Sequence, residues 1–292
     1  QGAPLPPCAC ERTGEARCAR FERWARASNV EAVAQPGRYA GLLAAAGQGS
    51  PHLTAEQDRE LLLDVDRTCP ALGFFAEDAA GRRGLTNVLR AWVVFDAEEA
   101  AAAKEAGGGG AEAAGEAAAE AARRPRWADA VGYVQGMNFI ATALLWHAGR
   151  DEAAFWLFVA MVRHYGLRCM FEAPDMRGLK VRCSTVTQLL RQRMPDLSAH
   201  LAEHLRDSLG LLVTEWLLTL FASSVPLGPL AVLWDSFFQD GYSAVYRLIL
   251  ARLRCLEPWL LAETDFGALV RLVKHVHIEF DVCSGEPRPR LP

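Results

Sequence analysis

The sequence predicts an all-α fold, and three observations carry that prediction. Apolar residues recur at three- and four-residue spacing along most of the chain, as in Val159 and Val162, or Leu190 and Met194. Runs of alternating β-branched residues, the mark of half-buried strands, are absent. A hydrophobic fraction of 51% and eight tryptophans give a chain of 292 residues enough apolar surface for a packed core.

Residues 1–20 are rich in Pro, Gly, Arg and Cys and read as a loose lead-in, with helical patterning from about Phe21 onward. The chain opens on Gln1, which implies that its natural N-terminus lies further upstream. A first lobe is expected over residues 21–175, because Phe171-Glu172-Ala173-Pro174-Asp175 punctuates the helical pattern. Within it, residues 97–125 stand apart. From Ala97 to Ala122 they are almost entirely Ala, Glu and Gly, with four glycines at Gly107 to Gly110. Such a stretch offers no large side chain to a core, so it is expected to loop out as a solvated insertion. A second lobe is expected over residues 176–283, followed by a polar, proline-containing tail over residues 284–292.

Bulk properties exclude several functions. A net charge of −4 and a pI near 6.0, without a basic block, disfavour nucleic acid and anionic membrane surfaces as partners. The eight cysteines do not form a disulfide pattern. Cys69, Cys169, Cys183 and Cys255 lie singly among apolar or helical residues, which suits reduced thiols and a cytoplasmic location. Cys8, Cys10 and Cys18 cluster without a fourth ligand at zinc-finger spacing. Leu209 to Phe238 is nearly uncharged, but Glu215 and the break from Ser223 to Pro229 interrupt it. Two buried helices with a tight turn fit better than a membrane span, which needs about 20 apolar residues.

Two segments could carry chemistry. In Thr54 to Pro70, Thr54 and Gln57 make a capping box that starts a helix, and Pro70 disfavours helix at Cys69. At about 100° per residue, Leu61, Leu62 and Val65 fall on one side and Arg67 nearly opposite. Arg67 therefore points outward at the last turn. Its ordinary role would be to pair with Asp64 and to favour the negative helix end. In the second segment, Gly132 and Gly136 bracket Tyr133-Val134-Gln135 before the apolar helix from Phe139 to Trp146. The backbone can turn sharply there and present the Gln135 amide, which both donates and accepts without charge. Its ordinary role would be to cap that helix, with Asn138 competing.

Taken together, Leu61-x-x-Asp64-x-x-Arg67-Thr68-x-Pro70 and Tyr133-x-Gln135-Gly136-Met137-Asn138 resemble the signature pair of the TBC-domain family, the Rab GTPase-activating proteins. Trp216-Leu217-Leu218-Thr219-Leu220-Phe221, then Pro226 and Leu233-Trp234-Asp235-Ser236-Phe237-Phe238-x-x-Gly241, resembles the family's C-terminal signature. Smaller matches are Tyr39-x-x-Leu42, Val88 to Trp92 and Ala154-Phe155-Trp156, so the resemblance runs from about Tyr39 to the end. Val134 stands where the family usually has Cys, Leu61 where it has Ile, and the Ala/Glu/Gly insertion is longer than the family's connection.

The resemblance implies a two-lobed, multi-helix TBC domain that activates a GTP-bound Rab-type GTPase and performs no stand-alone reaction. Arg67 would be the arginine finger and Gln135 the glutamine finger, with Asp64, Thr68, Tyr133, Gly136 and Asn138 in support. GTP and Mg²⁺ would belong to the partner, and this chain has no phosphate-cradling Gly-x-x-x-x-Gly-Lys loop. A helical platform that holds a GTP-loaded partner without accelerating hydrolysis is the alternative; the presence of both Arg67 and Gln135 favours catalysis. His200 and His204, at i,i+4, read as a solvated helix face, and His275 and His277 lack nearby ligands.

Overall fold

The computed structural model describes residues 18–69, 75, 79–108, 129–205, 209–275, 277–280 and 287–290. Its helices follow the amphipathic pattern of the sequence, and the chain divides into two compact units, residues 1–174 and 175–292.

The first unit is organised by one long helix. Its elements are α1 (Ala19–Ala27), α2 (Arg38–Gly47), α3 (Ala55–Arg67), α4 (Ala80–Gly108), α5 (Met137–Ala148), α6 (Asp151–His164) and the short α7 (Arg168–Phe171). Helix α4 runs for 29 residues and packs against α2, α3, α5 and α6. Helices α5 and α6 are apolar on nearly every side, as fits helices enclosed by others. Aromatic rings interlock at the centre of the unit. Trp92 meets Phe158 edge-on at 5.3 Å and Phe95 meets Phe155 at 5.7 Å, favourable geometries for ring quadrupoles. Trp24 of α1 is buried against the His147 ring.

The Ala/Glu/Gly stretch departs from expectation where it is described. Residues 97–108 do not loop out but continue α4. Ala100 is buried, and Glu98 and Glu99 pair with Arg38 of α2 and Arg163 of α6. The reason is physical: Ala and Glu are strong helix formers, and a methyl side chain suffices where helices approach closely. Residues 109–125, the remainder of that stretch, lie outside the described residues.

The second unit contains α8 (Arg177–Arg193), α9 (Pro195–Leu205), α10 (Leu209–Thr219), α11 (Leu227–Asp240), α12 (Tyr242–Ala262) and α13 (Phe266–His275). Helices α10 and α11 are the two apolar helices expected between Leu209 and Phe238. The turn between them places Leu220 and Phe221 at positive φ. The Trp234 indole N–H donates to the Leu220 carbonyl at 3.0 Å, and Phe221 stacks on Trp216. No described helix is long and apolar enough to cross a membrane. A short antiparallel ladder follows α13, pairing β1 (His277–Phe280) with β2 (Pro287–Arg290), His277 opposite Arg290. Residues 287–290 of the expected tail are thus in a strand pair. The fold is otherwise all-α among the described residues.

His200 and His204 do not form a solvated face. Both are half-buried with their rings in contact, and His200 Nε2 lies 2.7 Å from the Glu263 carbonyl at the end of α12. The described residues contain no cluster of three or more His, Cys, Asp or Glu able to hold a metal ion. Cys8, Cys10 and the side chains of His275 and His277 lie outside the described residues.

Candidate functional site

Helix α3 begins and ends as its sequence dictates. Thr54 Oγ1 accepts from the Gln57 backbone N–H at 3.2 Å, and Gln57 Oε1 accepts from the Thr54 N–H at 3.0 Å. Leu61 and Val65 are buried, and the helix stops at Arg67, where Thr68 turns to extended backbone. Two ion pairs clamp α3 to α4: Arg90 grips both oxygens of Asp58 at 2.7 Å each, and Arg82 pairs with Asp66. Such fork-to-fork geometry fixes orientation as well as distance.

This seating leaves Arg67 outside. Its side chain is 71% exposed, although it is not loose. Nη2 donates to Asp64 Oδ1 at 2.6 Å and Nε to the Leu63 carbonyl at 3.1 Å. The ordinary pairing with Asp64 is therefore present. It leaves Nη1 without a protein partner among the described residues.

Asp64 does more than hold Arg67. It is largely buried, and its second oxygen, Oδ2, accepts from the Tyr133 hydroxyl at 2.8 Å. One carboxylate thus bridges the arginine segment and the glutamine segment. Burial first, and then this hydrogen bond, push the Tyr133 phenol well above its ordinary pKa, so it stays a neutral donor.

A second bridge runs alongside. Thr68 Oγ1 donates to the Asp64 carbonyl at 2.5 Å and accepts from Asn138 Nδ2 at 2.7 Å. Asn138 Oδ1 in turn accepts from the Gly136 N–H at 3.0 Å. Gly136 has φ +109°, in the left-handed region that suits glycine, and serves as N-cap of α5 without any side-chain capping bond. The Gln135 side chain therefore does not cap the helix. It is exposed and makes no hydrogen bond among the described residues.

All seven residues singled out in the sequence fall into this arrangement: Arg67 and Gln135 exposed, and Asp64, Thr68, Tyr133, Gly136 and Asn138 linking their segments. Sequence reasoning missed a further set. Asp96 of α4, Arg168 of α7 and Trp92 of α4 all bond to residues 129–132, immediately upstream of Tyr133. An acidic residue in mid-helix and an arginine 72 positions away carry no local spacing that would pair them.

These features define a helical protein of two units whose candidate site is a surface one, built from an anchored guanidinium and an unengaged amide. Residues 125–261 match the family model for the Rab-GTPase-TBC domain, a stretch that includes Gln135 but not Arg67. Human TBC1 domain family member 1 is 30% identical over 223 residues, 76% of this chain and 16% of that protein. The Caenorhabditis elegans Rab GTPase-activating protein tbc-11 is 28% identical over 215 residues, 73% of this chain and 19% of its own length. The crystal structure of the Chlamydomonas flagellar RabGAP TBC domain superposes with a TM-score of 0.63 at 24% identity, over 90% of this chain and 75% of that one. At that identity the likeness speaks to fold alone. The chain belongs to the RabGAP-TBC family. It spans less than a fifth of the length of these two curated relatives.

Proposed function

We propose that this chain accelerates GTP hydrolysis by a GTP-bound Rab-type small GTPase, with Arg67 as arginine finger and Gln135 as glutamine finger. The observation that carries the reading is the pair of bridges, Asp64 to Tyr133 and Thr68 to Asn138, joining the segments that expose these two side chains.

Phosphoryl transfer to water requires charge neutralisation at the γ-phosphate and an aligned nucleophile. A guanidinium is permanently charged and planar, and Asp64 engages Arg67 from one side while leaving Nη1 to reach outward. An arginine finger supplies roughly 10³–10⁵ in rate, or about 4–7 kcal/mol. The Gln135 amide can accept from the attacking water and donate to a phosphate oxygen at once. GTP and Mg²⁺ belong to the partner, and any recruitment to endomembranes runs through that partner.

The test is single-turnover hydrolysis by a panel of GTP-loaded Rab GTPases with and without this chain. At least one member should release phosphate orders of magnitude faster. A companion pull-down should favour GDP–AlF₃-loaded over GTP-loaded partner, because a catalyst binds the transition state more tightly than the ground state. Equal capture of both forms without acceleration would point to a non-catalytic platform instead.

A further inference from the structure

The stretch 129–136 that delivers Gln135 belongs to no helix or strand. Its backbone polar groups must be satisfied by side chains or water. Four side-chain hydrogen bonds converge on its upstream half, all from residues without a role in the reading above. Asp96 Oδ2 accepts from the N–H groups of both Val131 and Gly132, the latter at 2.8 Å. Trp92 Nε1 donates to the Gly132 carbonyl at 2.8 Å. Arg168 donates through Nη2 to the Asp129 carbonyl and through Nη1 to Asp96 Oδ1.

This centre is buried. Asp96 is 0% exposed and Arg168 only 6%. Burying an ion pair costs several kcal/mol per ion before compensation, and well-packed apolar residues often stabilise a fold as well or better. A charged pair at this point is therefore poorly accounted for by stability alone. What it provides that an apolar pair would not is a set of directed bonds. Asp96 uses both oxygens, one for Arg168 and one for two successive amides, so the carboxylate sets the direction of the backbone at Val131 and Gly132. Gly132 has φ +67°, a left-handed conformation held from its N–H by Asp96 and from its carbonyl by Trp92. Three residues later the chain presents Gln135, whose own side chain is held by nothing among the described residues. Its aim must come from its backbone.

We infer that Asp96 and Arg168 are positioning residues for Gln135: a buried carboxylate–guanidinium pair that clamps residues 129–132 and thereby aims the exposed amide. The inference rests on the reading of Gln135 as a catalytic finger. Neither residue touches the nucleotide; both act through the backbone. Misplacement of a reacting group by about 1 Å can cost on the order of 10²-fold in rate, and that sets the scale of the effect.

The experiment uses the full chain and the Rab GTPase that responds most strongly to it, with Asp96→Asn, Arg168→Lys, Gln135→Ala and the double variant Asp96→Asn/Gln135→Ala. Asp96→Asn keeps the shape but cannot serve two amides and the guanidinium with one oxygen. It should lower kcat about 10- to 100-fold with KM for the GTPase within about 3-fold. In the Gln135→Ala background the same change should cost less than about 2-fold, because the aimed group is gone. Equal losses in both backgrounds, or no loss at all, would overturn the inference. Hydrogen exchange of the Val131 and Gly132 amides gives a readout independent of GTP hydrolysis, and it should accelerate at least 10-fold in Asp96→Asn and in Arg168→Lys. Unchanged exchange there refutes the clamp. Should exchange accelerate while Gln135→Ala stays fully active, the clamp stands and the role of Gln135 fails. If Asp96→Asn does not fold, Arg168→Lys decides by the same two measurements.

Discussion

The two exposed groups of the candidate site are held in opposite ways. Arg67 projects from the last turn of α3, and its guanidinium is fixed directly, by Asp64 and the Leu63 carbonyl. Gln135 lies in an irregular stretch, and its side chain is bonded to nothing among the described residues while the backbone around it is tied on both sides. The arginine is aimed through its side chain and the glutamine through its main chain. This difference has a physical logic. A long cationic side chain carries about 2 kcal/mol of rotamer entropy, and some of that freedom is best removed before a partner arrives. An amide that must accept from one group and donate to another keeps its options only if nothing at home occupies them.

The comparison can be broken or sharpened by substitution. The largest effect is expected from Arg67→Ala, which should remove on the order of 10³–10⁵ of the stimulated rate while the fold is retained, since the side chain is mostly exposed. Arg67→Lys should not restore it, because an ammonium cannot hold Asp64 and a phosphate oxygen in one plane. A variant that unfolds, or one that retains full stimulation, ends the assignment. Gln135→Ala should lose on the order of 10²-fold, without loss of stability. If only Arg67 matters in single-turnover assays, the scheme with two fingers is wrong.

Asp64→Asn tests the bridge between the two modes. The one remaining oxygen cannot accept from both Arg67 and Tyr133, so activity should fall by about 10-fold or more. Stability should fall by about 1–3 kcal/mol in denaturant melts, toward the lower end because Arg67 is largely solvated. A variant as active and as stable as the parent would show that the bridge is incidental.

Tyr133→Phe should have the smallest effect, about 1 kcal/mol in stability, since Asp64 keeps Arg67. Its signature is the pH profile. The phenol's pKa is raised in the folded state, so the unfolded chain loses that proton first as pH rises. Folding free energy attached to this group is intact below the unfolded tyrosine pKa near ~10 and declines above it. Urea melts between about pH 9 and pH 11 should show a shallower decline for Tyr133→Phe than for the parent. Parallel slopes would mean that the phenol titrates alike in both states.

Much of α3 is legible in its sequence because its determinants are local. The Thr54–Gln57 box, the Leu61 and Val65 face and Pro70 all act within one or two turns, and the outward direction of Arg67 follows from them. The glutamine segment is legible only in outline. Its bracketing glycines announce a sharp turn, yet the partners that hold it are Asp64, Asp96 and Arg168, which approach from distant points of the chain. Composition misleads at residues 97–108, where a low-complexity run of Ala and Glu reads as solvated although Ala100, Glu98 and Glu99 all find partners. The i,i+4 spacing of His200 and His204 likewise says nothing of Glu263, whose carbonyl His200 meets from another helix.

Asn138 has a chemical consequence of its own. Thr68 spends its one hydroxyl proton on the Asp64 carbonyl, so toward Asn138 it can only accept; Gly136 can only give. The side chain between them must carry a nitrogen on one side and an oxygen on the other. Hydrolysis of that amide to aspartate, the ordinary ageing reaction of asparagine, would put an acceptor against an acceptor in a dry interior and sever one of the two ties between the arginine and glutamine segments, with scarcely a change in shape.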